Sequence, residues 1–368
     1  MEAKKLNIGF VLDDTLDTPD GVQQYVTGLG SWLSDQGHNV HYLVGQTYRD
    51  DISNIHSMAR NIKVRFNKNR LSIPLPTKKS KIKKKLDELK LDVLHVQMPY
   101  SPLFAGKVIS SVTDEVKVIG TFHIVPASKL HFVSSKGLSY LNSKTSKRFN
   151  EIICVSSAAA SFAHSAFGYD TVVVPNVVDI AKFNHKPVNH KVPTIVFLGR
   201  LVERKGCKQL LDALMVLQKN YNGDYRVIIA GKGPLKTELE LYAIKNEVRK
   251  VQFIGFVSEA EKSKLLAGAD IAVFPSTGGE SFGIVLIEAM AAGSRVVLGG
   301  DNEGYRTVLE NYPDLLFDPN APTSFADRLE YYLEHPEARL QARAWAENEV
   351  QKYDINHIGE KILKIYNR

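Results

Sequence analysis

The chain has 368 residues, of which 44% are hydrophobic and 24% charged, with a net charge of +7; this balance is typical of a globular protein long enough for two domains. No apolar run approaches the about 20 residues of a membrane-spanning helix, and two cysteines without neighbouring histidines favour a reducing compartment and exclude a structural zinc site. The N-terminal segment lacks the pattern of a signal peptide, so we expect a cytoplasmic protein.

Apolar runs typical of buried parallel strands alternate with amphipathic helices from one end of the chain to the other. The strands predicted in the first half cover residues 6–12, 39–44, 93–97, 116–121, 152–155 and 172–174. Those predicted in the second half cover residues 194–199, 226–230, 251–254, 271–274 and 295–298. A turn-rich stretch, 175–193, separates the halves. The pattern predicts two successive doubly wound α/β domains, whose ligands bind at the carboxyl ends of the strands.

The loop after the first strand contains the first candidate residues. Gly21 allows a ligand to approach the backbone closely, and Gln23 follows it. Asp20 suits the N-cap of a helix predicted over residues 22–36. A carboxylate next to a bound phosphate would repel it, so we expect Asp20 to point away from such a ligand.

Residues 60–90 contain 12 Lys and Arg residues against two acidic ones, so the positive charge of the chain is local. Residues 79–90 are predicted to be helical. Two interpretations stay open: a solvated surface helix, or a patch that adsorbs to an anionic membrane. Aromatic residues are sparse here, which argues against single-stranded nucleic acid. The lysines of this candidate membrane patch are Lys78, Lys79, Lys81, Lys83, Lys84 and Lys85.

The next candidate residues follow predicted strands in the two halves of the chain. His123 ends the run Thr121-Phe122-His123; a lone histidine is more often structural, but its place after a strand also suits a ligand site. Lys129, just downstream, is a weaker candidate for binding a phosphate. In the second half, Arg200 and Lys205 can converge on a diphosphate and stabilise the negative charge of a leaving phosphate, or they can belong to a basic turn before a helix.

The segment of residues 278–293, GGESFGIVLIEAMAAG, carries the strongest functional signal. A helix is predicted to begin near Phe282, and the free backbone N–H groups of Gly283, Ile284 and Val285 then form an anion site. Glu280 precedes this helix. Glu288 interrupts an otherwise apolar helix, which is costly without a partner. That partner is either a sugar diol or a buried arginine.

This segment resembles the E-x7-E motif of retaining glycosyltransferases of family 4, which have the GT-B fold of two Rossmann-like domains facing across a cleft. The resemblance extends over most of the chain. It is greatest to bacterial phosphatidylinositol α-mannosyltransferases, in the runs P-D-G-V-Q, D-V-L-H-V and T-F-H. It implies an N-terminal acceptor domain of residues 1–178 completed by a returning helix, 353–368. A nucleotide-sugar domain of residues 179–352 follows from the same comparison.

The resemblance also implies residue roles. Glu288 would hold the nucleotide ribose, and Glu280 and His123 would orient the donor sugar. Arg200 and Lys205 would bind the diphosphate. The remaining residues implied to contact the donor are Gly21, Gly231, Gly233, Phe282, Gly283, Ile284 and Val285, and those implied to contact the acceptor are Gln23 and Lys129.

The implied reaction transfers a hexosyl unit, with mannose from GDP-mannose expected, to a lipid-linked or polar acceptor hydroxyl such as that of phosphatidylinositol. The anomeric configuration is retained, no metal is essential, and Mg²⁺ is at most a stimulant. We expect a protein on the inner face of the cell membrane. Three alternatives stay open: a transferase using UDP-glucose or UDP-GlcNAc, a sugar-nucleotide epimerase of the same architecture, and a basic nucleic-acid-binding module. The E-x7-E helix argues against the last.

Overall fold

The computed structural model describes residues 4–18, 20–66, 69–125, 143–183 and 190–368. The chain divides into two compact units. Unit 1 is Met1–Val177 together with Ile355–Arg368, and unit 2 is Val178–Asp354. Each contains a parallel sheet with helices, so the predicted α/β class with two Rossmann-like units is confirmed.

Unit 1 is built on a seven-stranded sheet in which all pairs are parallel, in the order β3-β2-β1-β6-β7-β8-β9. The apolar runs form these strands because both faces of the sheet are covered and exclude water. The strands are β1 (Asn7–Leu12), β2 (Asn39–Val44), β3 (Ile55–Ser57), β6 (Val93–Gln97), β7 (Lys117–Phe122), β8 (Glu151–Cys154) and β9 (Val172–Val173).

The helices of unit 1 bury their apolar faces in two hydrophobic clusters. The last helix of the chain packs beside the first: a Cβ on Gly359 would lie 2.5 Å from the ring of Trp32, whose indole nitrogen donates to Asn356 at 2.8 Å. The helices are α1 (Gly21–Asp35), α2 (Lys79–Leu89), α3 (Phe104–Ile109), α4 (Ser143–Ser146), α5 (Ser157–Phe167) and α13 (Ile355–Tyr366).

A two-stranded antiparallel sheet of β4 (Asn61–Phe66) and β5 (Asn69–Pro74) precedes α2. The sequence did not predict this hairpin. Its strands alternate polar and apolar residues and lack the continuous apolar run from which the strands of the main sheet are predicted.

Unit 2 contains a six-stranded parallel sheet in the order β12-β11-β10-β13-β14-β15. The strand expected at 295–298 begins two residues later, because Arg295 instead forms an ion pair with Asp270. The strands are β10 (Thr194–Leu198), β11 (Arg226–Ala230), β12 (Val251–Gly255), β13 (Ile271–Phe274), β14 (Val297–Gly300) and β15 (Leu316–Phe317).

The helices of unit 2 are α6 (Cys207–Asn220), α7 (Lys236–Lys245), α8 (Glu259–Ala267), α9 (Ile284–Ala292), α10 (Glu303–Leu309), α11 (Pro322–Glu334) and α12 (Pro336–Glu349). Short 3-10 helices cover Ile180–Phe183, Glu203–Lys205, Pro313–Leu315 and Val350–Tyr353. No helix of the described ranges is both long enough and apolar enough to span a lipid bilayer.

In each sheet the strand order reverses at one point, between β1 and β6 in unit 1 and between β10 and β13 in unit 2. Ligands of doubly wound folds bind just beyond the carboxyl ends of the strands at this reversal. The loops after these four strands contain many of the predicted site residues, so the topology places two candidate regions, one in each unit.

Candidate functional site

The candidate region of unit 2 centres on Glu280, in the loop between β13 and α9. One oxygen of its carboxylate, Oε1, accepts hydrogen bonds from Lys205 Nζ at 2.8 Å, Arg204 Nη1 at 2.7 Å and Ser276 Oγ at 2.7 Å. Lys205 and Arg204 come from the loop after β10, the neighbour of β13 in the sheet. The parallel pairing of β10 and β13 therefore brings the two loops together.

The charge state of this cluster follows from its surroundings. Burial alone would raise the pKa of Glu280, but the cations of Lys205 and Arg204 and the bond from Ser276 outweigh it, and the pKa lies below its ordinary value. Glu280 is thus ionised at neutral pH. Two cations against one carboxylate leave a net charge of +1, which suits an anionic ligand.

The Glu280 loop is fixed in place by α10. The Asn302 side chain caps this helix, accepting from Tyr305 N at 3.0 Å, while its amide nitrogen donates to Ser276 O at 3.2 Å. A Cβ on Gly304 would lie 2.2 Å from the carbonyl oxygen of Glu280, so that position is sterically restricted to glycine. The loop that carries Glu280 is therefore positioned by helix packing.

Helix α9 begins directly after Gly283, which has a φ of +114° that a residue with a side chain rarely adopts. The first N–H groups of the helix have no partner within the helix, so this terminus has the geometry that the sequence-based prediction of an anion site requires. Ile284 and Val285 are half-buried at this end. Phe282 is buried against Tyr353, with ring centroids 5.5 Å apart, so its ring belongs to the core.

Glu288 lies on α9 and is buried. Its Oε1 accepts a hydrogen bond of 2.6 Å from Lys262 Nζ, and Lys262 also pairs with Glu259 at 2.6 Å. The carboxylate within the apolar helix thus has a protein partner, which is a lysine of α8 and not the arginine considered from the sequence. Burial keeps the pKa of Glu288 above its ordinary value despite the neighbouring ammonium group.

Close backbone packing explains why glycine occupies two other predicted positions of unit 2. A Cβ on Gly231 would lie 1.8 Å from the carbonyl oxygen of Gly199, and one on Gly233 would lie 2.3 Å from that of Leu201. Both glycines therefore let the loop after β11 approach the loop after β10. Arg200 is half-buried in that same β10 loop, a few residues before Lys205.

The candidate region of unit 1 contains His123, directly after β7. Its ring is buried, with Nε2 lying 2.6 Å from Oε1 of Gln97 at the end of β6. The ring of Tyr25 stands edge-on to it at a centroid distance of 5.1 Å. Burial lowers the pKa of His123 to about 3, so the imidazole is neutral near pH 7.

A second buried histidine, His95, lies beside this group. Its Nδ1 is 2.6 Å from the hydroxyl of Tyr366, and its Nε2 is 2.5 Å from the hydroxyl of Thr121. Burial and the neighbouring His123 lower the pKa of His95 to about 3. These contacts connect the final helix to β6 and β7, next to His123.

The candidate residues that follow β1 lie at the start of α1. Asp20 occupies the N-cap position of α1 with extended backbone, but its side chain makes no capping hydrogen bond. Gly21 is the first residue of α1. Gln23 is buried, and its amide nitrogen donates to the carbonyl of Thr15 at 3.1 Å.

Helix α2 presents most of its basic side chains to solvent and buries Ile82 and Leu86. Lys85 is half-buried and pairs with Glu88 at 2.5 Å. The exposed basic residues are Lys78, Lys79, Lys81, Lys83 and Lys84. Lys129 lies outside the described residues.

Within the described ranges, no three His, Cys, Asp or Glu side chains come together as metal ligands. In the unit 2 region, Glu280 and Glu288 form ion pairs with lysine and arginine side chains. This arrangement of cations, helix terminus and carboxylates has the chemistry for binding a phosphorylated, hydroxyl-rich ligand.

Comparison with known proteins defines the class. Residues 19–182 match the model of Glycosyltransferase Family 4, and residues 179–349 match that of Glycosyl transferases group 1. A phosphatidyl-myo-inositol mannosyltransferase of Mycolicibacterium smegmatis is 31% identical, over 98% of this chain and 93% of its own length. A phosphatidyl-myo-inositol mannosyltransferase of Mycobacterium tuberculosis strain H37Rv is 30% identical, over 98% of this chain and 96% of its own length.

Solved structures share the fold. A glycosyltransferase from Rickettsia africae superposes with a TM-score of 0.78 at 20% identity, covering 99% of this chain and 98% of its own. Anabaena Alr3699/HepE in complex with UDP and glucose superposes with a TM-score of 0.73 at 18% identity, covering 98% of this chain and 99% of its own. The fold is that of a GT-B glycosyltransferase. The chain belongs to glycosyltransferase family 4.

Four residues of these regions were not predicted as central. Lys262, Asn302 and Gln97 act on Glu288, the Glu280 loop and His123 from separate segments, and the sequence contains no local pattern that links them. Arg204 has a local signal, since it adjoins Lys205 in a run of basic residues after a strand, but of the two the sequence favours Lys205.

Proposed function

We propose that this glycosyltransferase moves a mannosyl unit from GDP-mannose to an inositol hydroxyl of phosphatidylinositol, with retention of the anomeric configuration. The observation that carries the proposal is the grouping in unit 2 of a helix N-terminus at Gly283, the Glu280 ion-pair cluster and the buried Glu288. The names of the relatives, which match the chain nearly end to end, support mannose and the inositol lipid.

Unit 2 binds the donor in this proposal. The diphosphate lies against the N–H groups that follow Gly283 and near Arg200 and Lys205, because together these carry positive charge that Glu280 only partly cancels. On binding, phosphate oxygens replace Glu280 as a partner of Lys205. Glu280 is then available to accept hydrogen bonds from sugar hydroxyls.

Glu288 accepts hydrogen bonds from the ribose hydroxyls. Lys262 occupies one side of its Oε1 and keeps the carboxylate in a single orientation. Replacing a ribose diol by a deoxy-ribose would leave this buried group without its ligand, so the contact discriminates strongly.

Unit 1 supplies the acceptor region and His123, which orients a hydroxyl of the donor sugar. A neutral imidazole with a pKa of about 3 is a weak base, so His123 is suited to hydrogen bonding and not to removing a proton. Gln23, in the first turn of α1, contacts the acceptor. Lys129 is proposed as a further acceptor contact.

The chemical step follows from these groups. The acceptor oxygen bonds to the anomeric carbon on the face that the diphosphate leaves, while the bond from that carbon to the diphosphate oxygen breaks. The electron pair departs with the phosphate, and the acceptor proton passes to a phosphate oxygen. Arg200, Lys205 and the α9 terminus stabilise the charge that develops on the leaving group.

The acceptor lipid brings the protein to a membrane surface. Lys78 and the four exposed lysines of α2 are proposed to adsorb to anionic headgroups, each contributing about 1 kcal/mol near such a surface. We therefore place the protein at the inner face of the cell membrane, docked reversibly.

Donor specificity is tested by incubating the protein with vesicles of phosphatidylinositol and radiolabelled GDP-mannose, UDP-glucose or UDP-GlcNAc in parallel. We expect label in the lipid fraction with GDP-mannose only, without added divalent metal. Lipid labelling with a UDP-sugar alone would contradict the mannosyl assignment. Interconversion of the free sugar nucleotide without transfer would instead indicate an epimerase.

A further inference from the structure

The contact between Gln97 and His123 determines how the histidine can bind a ligand. Oε1 of Gln97 lies 2.6 Å from Nε2 of His123, and both side chains are buried. An amide oxygen can only accept a hydrogen bond. The hydrogen in this contact must therefore be on Nε2 of the imidazole.

A neutral imidazole has one hydrogen, so the two ring nitrogens have opposite roles. If Nε2 donates to Gln97, then Nδ1 has a free lone pair and accepts. Without Gln97 the two tautomers would be closer in energy, and the hydrogen could move to Nδ1. That nitrogen would then donate to a hydroxyl oxygen and could no longer accept a hydrogen bond from the hydroxyl.

The amide of Gln97 is not explained by stability alone. Its nitrogen, Nε2, is buried without a hydrogen-bond partner among the described residues. An unsatisfied buried amide is unfavourable, and an apolar side chain of similar volume would avoid that cost. Its oxygen, in contrast, makes the contact to His123. This indicates that the Gln97 side chain acts on the histidine.

Building on the proposed function, we propose that Gln97 is a positioning residue that fixes the tautomer of His123 and leaves Nδ1 as the acceptor for a hydroxyl of the transferred sugar. Gln97 acts through the histidine. It determines that Nδ1 accepts a hydrogen bond from the hydroxyl, and through that it sets the orientation of the sugar for attack.

The groups around His123 are compatible with this role. Tyr25 presents the edge of its ring at 5.1 Å, and among the residues that the structure describes the other titratable group near the imidazole is His95. Burial keeps both histidines neutral near pH 7. No cation therefore competes with Gln97 for control of the tautomer within the described residues.

The tautomer is measured directly by long-range proton–nitrogen correlation spectra of the full-length protein labelled with ¹⁵N-histidine. The His123 signals are assigned by their loss in His123→Asn. We expect the pattern of a neutral ring with hydrogen on Nε2 in the wild type. In Gln97→Met, which keeps the side-chain volume without the acceptor, we expect the Nδ1–H form to appear. Gln97→Glu should also keep a hydrogen on Nε2, but its negative charge favours the protonated ring, so we expect a second hydrogen on Nδ1 at low pH that is lost as the pH rises.

The same variants are compared in the transfer assay. We expect Gln97→Met to lower kcat at least about tenfold with a smaller change in the KM for the donor. Because the carboxylate of Gln97→Glu favours the protonated ring, its kcat should rise with pH as Nδ1 loses its hydrogen. Gln36→Leu, at an exposed position beyond the end of α1, is the control and should have wild-type kinetics. Thermal unfolding identifies variants that lose activity by losing the fold.

The outcomes separate this proposal from the proposed function. An Nδ1–H tautomer in the wild type, or a tautomer unchanged in Gln97→Met, contradicts the proposal whatever the enzyme transfers. A changed tautomer with unchanged kcat contradicts it as well. A wild type that transfers no sugar from any donor contradicts the proposed function, while the tautomer measurement still reports on Gln97.

Discussion

Lys262 donates a 2.6 Å hydrogen bond to Oε1 of Glu288, and both side chains are buried in unit 2. Removing one partner of such a pair leaves an uncompensated buried charge, which costs more than removing both. The pair therefore has two consequences, one for stability and one for donor binding.

Lys262→Met should lower the free energy of unfolding of unit 2 by about 3 kcal/mol at pH 7. The double variant Lys262→Met/Glu288→Gln should recover more than half of that loss. Each unit has one tryptophan, Trp32 in unit 1 and Trp345 in unit 2, so denaturation of variants in a Trp32→Phe background followed by fluorescence reports on unit 2.

The control for this comparison is Lys264→Met, an exposed lysine on the same helix. It should change the stability by less than about 0.5 kcal/mol. A double variant no more stable than Lys262→Met alone would show that the two side chains are not coupled.

Glu280 gives unit 2 a defined acid sensitivity. Its folded pKa lies below the ordinary value of 4.5 because of Lys205 and Arg204, so the unfolded state binds a proton more readily. The stabilisation is fully present above pH 4.5 and is lost as the pH falls through the folded pKa. Trp345 fluorescence across pH 3–6 should show a steeper loss of stability in the wild type than in Glu280→Gln. Parallel curves would contradict the ion-pair assignment.

Unit 1 should lose stability in a different pH range. The folded pKa of His123 and that of His95 are both about 3, against 6.5 for an unperturbed histidine. Between these values the unfolded state binds protons that the folded state does not. Each histidine therefore lowers the free energy of unfolding by about 1.4 kcal/mol per pH unit below about pH 6.

Trp32 fluorescence in a Trp345→Phe background measures this effect. His95→Asn should reduce the slope between pH 6 and pH 4 by about 1.4 kcal/mol per pH unit. Loss of none of the slope would mean that His95 is not buried as a neutral ring. The transfer rate should show no histidine titration between pH 6 and pH 8.

The exposed lysines of α2 should control membrane binding. Lys81→Glu/Lys84→Glu should weaken binding to vesicles containing phosphatidylinositol by at least about 30-fold, since each lysine contributes about 1 kcal/mol. The matched control is Lys219→Glu/Lys245→Glu, which reverses two exposed charges in unit 2. Sedimentation with vesicles measures both. Equal weakening in the two variants would indicate that overall charge, and not α2, determines binding.

The sequence predicts most of the fold and the Glu280–Glu288 segment, because strand, turn and helix follow one another there without a break. The local sequence is enough to place Gly283 at the start of a helix. It is not enough to identify Lys262 as the partner of Glu288, since these residues are 26 positions apart and meet only when α8 packs on α9.

The same limit applies in unit 1. His123 and Gln97 end neighbouring parallel strands, so their contact depends on the strand order, which no local pattern specifies. The hairpin of β4 and β5 was missed because its strands lack a continuous apolar run. What the sequence predicts well is continuous along the chain, and what it misses depends on packing.

The central claim, retaining transfer of mannose to an inositol lipid, is tested most directly by the structure of the product. The full-length protein is incubated with GDP-mannose and phosphatidylinositol vesicles, and the lipid product is analysed by mass spectrometry and proton NMR. We predict phosphatidylinositol carrying one mannose with the α configuration of the donor. A β-linked product, or no mannosylated lipid while a UDP-sugar is transferred, would contradict the account.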